Sequence, residues 1–409
     1  MNVLITGAQF ENRGAQSMLF TVVNEFRTRY ADVEFYYVPL DYARKDCFAC
    51  CDDYKFNFVY DDLAMRDYPI RYGFAGKIKR SMDKKKIGAQ IDKYNAPYLS
   101  DIWDKIDVLV DVSGYSLSSK FGMGSINRML RHINKAKSLD IPVFLMPQSY
   151  GPLNFGEKTE DVCKEINEAF SKVDLLFARE NEGAEVLKNE CGVCSAVLSP
   201  DIVLQAQEIK WENVFVKKPE LKAPLLETEN NVGIVPNGET VRNGNKDFVL
   251  SCYKRIIELL RSKGKEVYIF RHSDDLALCR DIYGLVKEDE HCHLIEDEMD
   301  CLAYSEFIKQ FEFVIASRFH SVVHAYKEGI PALVLGWAIK YQELTKLFSQ
   351  EKYAFDITKR DDCDVNEMMK QLELLSENYK NEAEVIGNKL AEIRRKSCFD
   401  ICWEVLDKI

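Results

Sequence analysis

The sequence predicts two doubly wound α/β domains in tandem with a cleft between them, on three observations. Short apolar runs without polar alternation recur along the chain (NVLIT, VLVDV, VFLMP, LLFAR, FVIAS and ALVLG), and stretches of helical period separate them. That alternation marks a parallel sheet whose two faces are covered by crossover helices. The rhythm breaks once, over residues 206–230 (AQEIKWENVFVKKPELKAPLLETEN), where charge, two prolines and the lack of a sustained period read as a linker. The length of 409 residues suits two domains at roughly 100–200 residues each.

In order, NVLIT is a strand, GAQFENRG a loop, AQSMLFTVVNEFRTRY a helix and VEFYYVPLD a strand, a β–loop–α–β opening. IDVLVDVSG, IPVFLMPQS, LLFAR and AVLSPDIVL continue the sheet, with helices over SINRMLRHINKAKSLD, KTEDVCKEINEAFSKVD and ENEGAEVLKNECG. After the linker the pattern restarts with NVGIVPNG, the helix KDFVLSCYKRIIELLRSKG, KEVYIFRHS, the helix DDLALCRDIYGLVKE, EFVIAS, RFHSVVHAYKEG and IPALVLGW. The predicted division is residues 1–205, an amino-terminal Rossmann-like domain; 206–230, the linker; 231–384, a carboxyl-terminal Rossmann-like domain; and 385–409, a helix that could cross back to the first domain. Such a pair is the architecture of the glycosyltransferase type B fold.

Composition narrows the function. A net charge of −11 argues against a nucleic-acid partner, which would call for a basic surface. It also means that an anionic ligand must be drawn in by a local cluster of Arg and Lys. Thirteen scattered cysteines, a start (MNVLITGAQF) without a signal-peptide pattern and no apolar stretch near the ~20 residues of a membrane span predict a cytoplasmic protein with free thiols. The pairs Cys47/Cys50 and Cys191/Cys194 could form a zinc site, but Gly192 reads as a left-handed helix stop with the cysteines as small neighbours. The prediction is therefore no metal. Residues 68–86, with seven Lys or Arg against one Asp, read as a solvated basic face, with an anionic membrane surface as the alternative.

In open α/β sheets ligands bind outside the carboxyl ends of the strands. The candidates there are Asn12, Arg13 and Gly14 in the first loop, Ser113 and Gly114 after VLVDV, Gln148 and Tyr150 after VFLMP, and Arg179 after LLFA. A structural Arg179–Glu180 pair is the plain alternative to a ligand-binding Arg179. After FVIA come Ser317, a possible N-cap, and Arg318 and His320, so that backbone amides, a guanidinium and an imidazole converge. His324, one turn on, would make an HxxxH pair, but Ser321 stands where a zincin has Glu, so a packed, hydrogen-bonded core histidine is the better reading. Lys340 leaves the next strand end and could reach the same cleft.

The stretch ASRFHSVVHAYKEGIPALVLGWAIK resembles the signature of the polysaccharide pyruvyl transferase family. NRGAQSML, MPQSYGPL, ARENEGAEVLK and LSPDIVL resemble that family's further elements, in order, over nearly the whole chain. One departure is Ala15 after Gly14, where the family often has Asp. The resemblance implies a phosphoenolpyruvate donor and no further cofactor. Arg179 and Arg318 would hold the donor's carboxylate and phosphate, His320 would act as general acid or base, and Lys340 would neutralise phosphate charge. The acceptor would be a sugar of a polysaccharide or lipid-linked glycan, brought to the inner face of the membrane in the second case. Rival readings are a nucleotide-sugar glycosyltransferase, for which Asp201 and Glu343 are weakly placed ribose ligands, and a catalytically silent glycan- or phosphosugar-binding protein. A phosphosugar epimerase of similar fold is a poorer third. Oligomeric state is not legible.

Overall fold

The computed structural model describes residues 1–40, 48–62, 81–82 and 88–408. Within them lie two sheets, each wholly parallel. The first contains β1 (Asn2–Thr6), β2 (Glu34–Tyr37), β3 (Asn57–Phe58), β4 (Val108–Asp111), β5 (Val143–Gln148), β6 (Leu175–Ala178) and β7 (Val197–Leu198), in the order β3-β2-β1-β4-β5-β6-β7. The second contains β8 (Asn231–Val235), β9 (Glu266–Phe270), β10 (Cys292–Ile295), β11 (Phe313–Ala316), β12 (Ala332–Leu335) and β13 (Ala354–Phe355), in the order β10-β9-β8-β11-β12-β13. In both, the chain starts mid-sheet, runs to one edge, returns and runs to the other. The strand order therefore reverses between β1 and β4, and again between β8 and β11.

Burial explains why the central strands read clearly in the sequence. Every residue of β4, β5, β8, β11 and β12 is buried, so each is apolar except for a polar residue at one end of β4 (Asp111), β5 (Gln148) and β8 (Asn231), and none alternates. The edges differ. β3, β7 and β13 have two residues each, and Val197 and Leu198 of β7 are exposed. The segment AVLSPDIVL, predicted as one strand, divides into β7 and a helical turn, Ile202–Gln205, which Asp201 caps by accepting the Val203 amide at 3.0 Å. Gly192 takes the left-handed conformation (φ 70°) at the end of the helix Asn181–Cys191.

The two units are knit together. Phe215, from the segment read as linker, bridges to Tyr54 of the first unit, and the short helix Trp211–Val214 interrupts that segment. A helix of 30 residues, Val365–Arg394, packs on the second unit near its start and reaches the Leu204 carbonyl of the first with Arg394. Ser397 then starts the last helix, Cys398–Leu406, through a reciprocal cap with Asp400. That helix sets Trp403 edge-on to Phe26 at 4.8 Å and to Tyr30 at 5.5 Å. One apolar cluster consequently runs from Val3 through Phe270 and Tyr326 to Cys402.

Candidate active site

The two reversal points face each other across a cleft of about 660 Å³. Its first wall is the mouth of β1 and β4, with Gly7, Asn12, Ser113, Gly114, Tyr115 and Lys120; the second is the mouth of β8, β9, β11 and β12, with Asn237, His272, Arg318, His320 and Lys340. A larger cavity of about 910 Å³ lies elsewhere, between the linker and the long helix. Three of its five cations, Lys309, Lys327 and Arg394, stand at or just after the carboxyl ends of three helices, whose dipoles they complement; Lys218 and Arg395 are the others.

Arg318 occupies the cap position of the helix Phe319–Lys327 with extended backbone. Its guanidinium is held in a two-bond fork by Asp275 (Nε to Oδ2 2.6 Å, Nη2 to Oδ1 2.7 Å), and Asp275 also accepts the Gly238 amide at 2.9 Å. Such a fork fixes the plane of the guanidinium and leaves Nη1 without a protein partner among the described residues.

His320 lies against the start of the helix Arg13–Arg29. A Cβ on Gly14 would stand 2.2 Å from the imidazole Cγ and 2.3 Å from Nδ1, so glycine is required there for close approach. Behind the ring, Nε2 is 3.3 Å from Asp201 Oδ2, an ion-pair distance without hydrogen-bond alignment. Burial lowers the imidazole pKa against the upward pull of Asp201. Burial would raise the Asp201 carboxyl, but His320 and Arg179 hold it well below the usual range, and Asp201 stays ionised. Arg179 is almost wholly enclosed. It donates to Asp201 at 2.7 Å and to Ser149 Oγ at 2.6 Å, lies 3.5 Å from Glu180, and stacks on Phe319 at 4.1 Å.

Lys340 stands in the first turn of the helix Ile339–Leu347. Its ammonium lies over Tyr115 at 4.3 Å, Phe319 at 5.4 Å, Trp337 at 5.7 Å and Tyr341 at 5.9 Å, rings supplied by both domains. Burial, with Arg179 next, pushes its pKa down to about 7.

Of the residues singled out in the sequence, Asn12, Ser113, Gly114, Arg179, Arg318, His320 and Lys340 line this cleft. Asn12 also caps its helix, accepting the Gly14 and Ala15 amides. Four do not fit their expected places. Arg13 turns away and binds the Met299 carbonyl at 2.7 Å, joining the two domains. Gln148 lies inside the sheet beside Asp111, and Tyr150 is buried with its hydroxyl on the Phe177 carbonyl at 3.0 Å. The register between β5 and β6 shifts between Leu145 and Gln148, just before both. Ser317 is not the N-cap; it is fully buried and shares a hydrogen bond with Tyr253 at 2.6 Å. His324 is buried as expected but makes no hydrogen bond, packing edge-on to Tyr304 and His272 instead.

Sequence reasoning missed Asp275 and His272, although both follow the strand end EVYIF, where the rule for strand mouths would have found them. It weighed Asp201 and Glu343 only as ribose ligands. Glu343 instead accepts the Asn181 and Glu182 amides at 2.6 and 3.1 Å, capping a helix of the other domain. Cys47 and nearly all of residues 68–86 lie outside the described residues. Among those described, no group of three or more His, Cys, Asp or Glu could hold a metal, and no helix is long and apolar enough to cross a membrane.

With this geometry in view, a model of the polysaccharide pyruvyl transferase family matches residues 12–338. The chain belongs to that family. The matched span includes Arg179, Arg318 and His320, and Lys340 lies just beyond its end. No curated protein matches the chain by sequence. Solved structures similar in fold include a UDP-N-acetylglucosamine 2-epimerase at 14% identity (99% of this chain, 95% of that one, TM-score 0.56). Another is UDP-GlcNAc 2-epimerase from Neisseria meningitidis bound to UDP-GlcNAc, at 13% identity (96% and 98%, TM-score 0.52). A putative UDP-N-acetylglucosamine 2-epimerase from Listeria monocytogenes is similar at 12% identity (94% and 89%, TM-score 0.51). At these identities the likeness is one of fold, the type B glycosyltransferase arrangement of two Rossmann-like units.

Proposed function

We propose that this chain moves the enolpyruvyl group of phosphoenolpyruvate onto two hydroxyls of a sugar, forming a cyclic pyruvate ketal and releasing phosphate. The observation that carries the reading is the composition of one cleft wall: Arg318 held in plane by Asp275, Lys340 without a carboxylate partner among the described residues, and an imidazole backed by Asp201. A phosphate and a carboxylate on one small donor bring about three negative charges near neutral pH. Arg318 offers a directed N–H and Lys340 a compact charge, so the local field is cationic in a protein of net charge −11.

In this reading Arg179 is a positioning residue and not a donor clamp. Nη1 donates to Asp201 and Nη2 to Ser149, Glu180 lies at ion-pair distance from Nε, and through Asp201 the guanidinium orients His320. The sugar would approach from the first domain, where Tyr115 and the exposed Phe121 meet edge-on at 5.2 Å and offer apolar faces to a ring. Addition of the first hydroxyl puts its oxygen on C2 of the donor and a proton on C3. Loss of phosphate and addition of the second hydroxyl close the ketal. Two protons leave the sugar: one ends on the methyl carbon and the other leaves with phosphate. His320, neutral at neutral pH with an ionised carboxylate behind it, is built to take the first and return it to carbon.

The test is thermal stability with increasing phosphoenolpyruvate, beside UDP-sugars, for wild type and Arg318→Ala. A ligand that binds the native state raises Tm, by an amount equivalent to about 2.7 kcal/mol at 100 times its Kd. The expected outcome is a rise with phosphoenolpyruvate alone that is lost in the variant. A rise with a UDP-sugar and none with phosphoenolpyruvate would make the chain a nucleotide-sugar enzyme.

A further inference from the structure

The reaction proposed above displaces two protons, and His320 accounts for one. We propose that Lys340 carries the second: it gains a proton as the donor binds, gives it to the departing phosphate, and recovers it from the second hydroxyl. The inference rests on the pyruvyl-transfer reading and changes the part that family resemblance gives this lysine, from a fixed counter-charge to a proton carrier.

Three features of its setting support this. The ammonium lies among four aromatic rings, with no carboxylate at ion-pair distance among the described residues. It stands in the first turn of a helix, where the dipole disfavours a cation. The charged neighbours that act on it most are mainly cations: Arg179 from the end of β6, Lys120 from the loop after β4 and Arg318 from the end of β11, against Glu180; Glu239 lines the same cleft and Glu182 stands near Lys120 and Tyr115. His320 also faces it from the helix Phe319–Lys327, and Tyr115 and Tyr341 contribute rings with hydroxyls raised above their ordinary pKa by burial. The rings favour the ammonium by cation–π attraction, whereas desolvation, the dipole and the three cations oppose it. With the balance this close, the arrival of an anion decides the protonation state. A lysine fixed in charge would sit beside an acid, as Arg318 sits beside Asp275.

The step balances. As the C2–O bond to phosphate breaks, its electron pair goes to the phosphate oxygen and the Lys340 ammonium protonates that oxygen. The second hydroxyl then adds to C2, and its proton returns to the neutral amine.

Proton uptake on donor binding tests this without knowledge of the acceptor. Phosphoenolpyruvate is titrated calorimetrically near pH 8 in two buffers of different ionisation enthalpy, into wild type, Lys340→Gln, Lys340→Arg and His320→Gln. Wild type and His320→Gln should each take up close to one proton per donor bound. Neither Lys340 variant should, because glutamine has no charge to gain and arginine none to lose. Uptake that persists in a Lys340 variant overturns the proposal. Should both variants bind too weakly to titrate, the wild-type affinity decides. Above pH 7.5 the donor is fully ionised and burial keeps His272 and His320 of the cleft neutral, so Kd should rise about tenfold per pH unit if Lys340 must be charged. A flat profile overturns the proposal. Absence of any binding by wild type, with binding of a UDP-sugar, would instead count against the donor reading itself.

Discussion

The two sheets share one strand order about their reversal points, yet the cleft walls they present are chemically unlike. The mouth of β1 and β4 is made for close approach. Gly7 has φ +89°, and a Cβ on it would stand 2.3 Å from Ser113 Oγ, so the two loops nearly touch there. The mouth of β8, β9 and β11 presents charge and titratable nitrogen, with His272, Arg318 and His320 lining it and Asp275 buried behind Arg318. Equal topology thus supplies two crevices, and side chains decide which holds an anion and which makes room for a sugar. The division is incomplete in one instructive respect. The imidazole of the second domain is seated by Gly14 of the first and backed by Asp201 and Arg179 of the first, so the reacting group belongs to neither domain alone.

That dependence can be broken, and the two largest effects should come from changing the imidazole or its seat. Gly14→Ala puts a methyl into the imidazole, and phosphate release with the acceptor sugar should fall about 10²-fold, as expected for a displacement near 1 Å. His320→Gln should fall by about 10²–10⁴-fold, the span of general acid–base catalysis. In both, phosphoenolpyruvate should still raise Tm, because Arg318 is untouched. Full turnover in Gly14→Ala would mean that the imidazole need not stand where it does.

Next in size, Asp201→Asn removes the buried partner of Arg179. The loss should be about 3 kcal/mol of stability, measured by denaturant unfolding, since the guanidinium stays enclosed with Glu180 and Ser149 only. A loss below 0.5 kcal/mol would show that Glu180 alone suffices.

The smallest effect lies beneath the second wall. Burial pushes His324 down to about 3, so between that value and the ~6.5 of a free imidazole the unfolded chain binds a proton that the folded chain does not. Its contribution is fully present above about pH 6.5 and is lost as the pH falls toward 3; at pH 5 the loss is roughly 2 kcal/mol. His324→Phe should remove that part of the acid sensitivity and leave stability at pH 7.5 within about 1 kcal/mol. An unchanged acid loss in the variant would assign it to other groups.

Much of the fold was legible because both sheet faces are covered. A strand such as Ala332–Leu335, buried at every residue, can only read as an apolar run. The short edge strands were not legible, since β7 exposes both its residues and owes its conformation to pairing with β6. Within the site, Arg318 and His320 stood out as residue types that a strand mouth does not itself need. Gln148 and Tyr150 stood at an equally promising strand end, yet both are buried, where the register between β5 and β6 shifts. Arg13, beside the capping Asn12, is drawn off to the Met299 carbonyl of the other domain, a partner 286 residues away.

The sequence by itself determined the order of strands and helices, the break between two units, the cations at the strand ends and the family. These follow from periodicity and residue type, which are local. The tertiary structure decided which of those residues meet. Asp201 is 22 residues from Arg179 and more than a hundred from His320, and Lys340 gains its aromatic enclosure only when Tyr115 comes in from the other domain. Electrostatic and steric interactions act through distance in space, and separation along the chain does not encode it; hence the partners that tune each group appeared only with the fold.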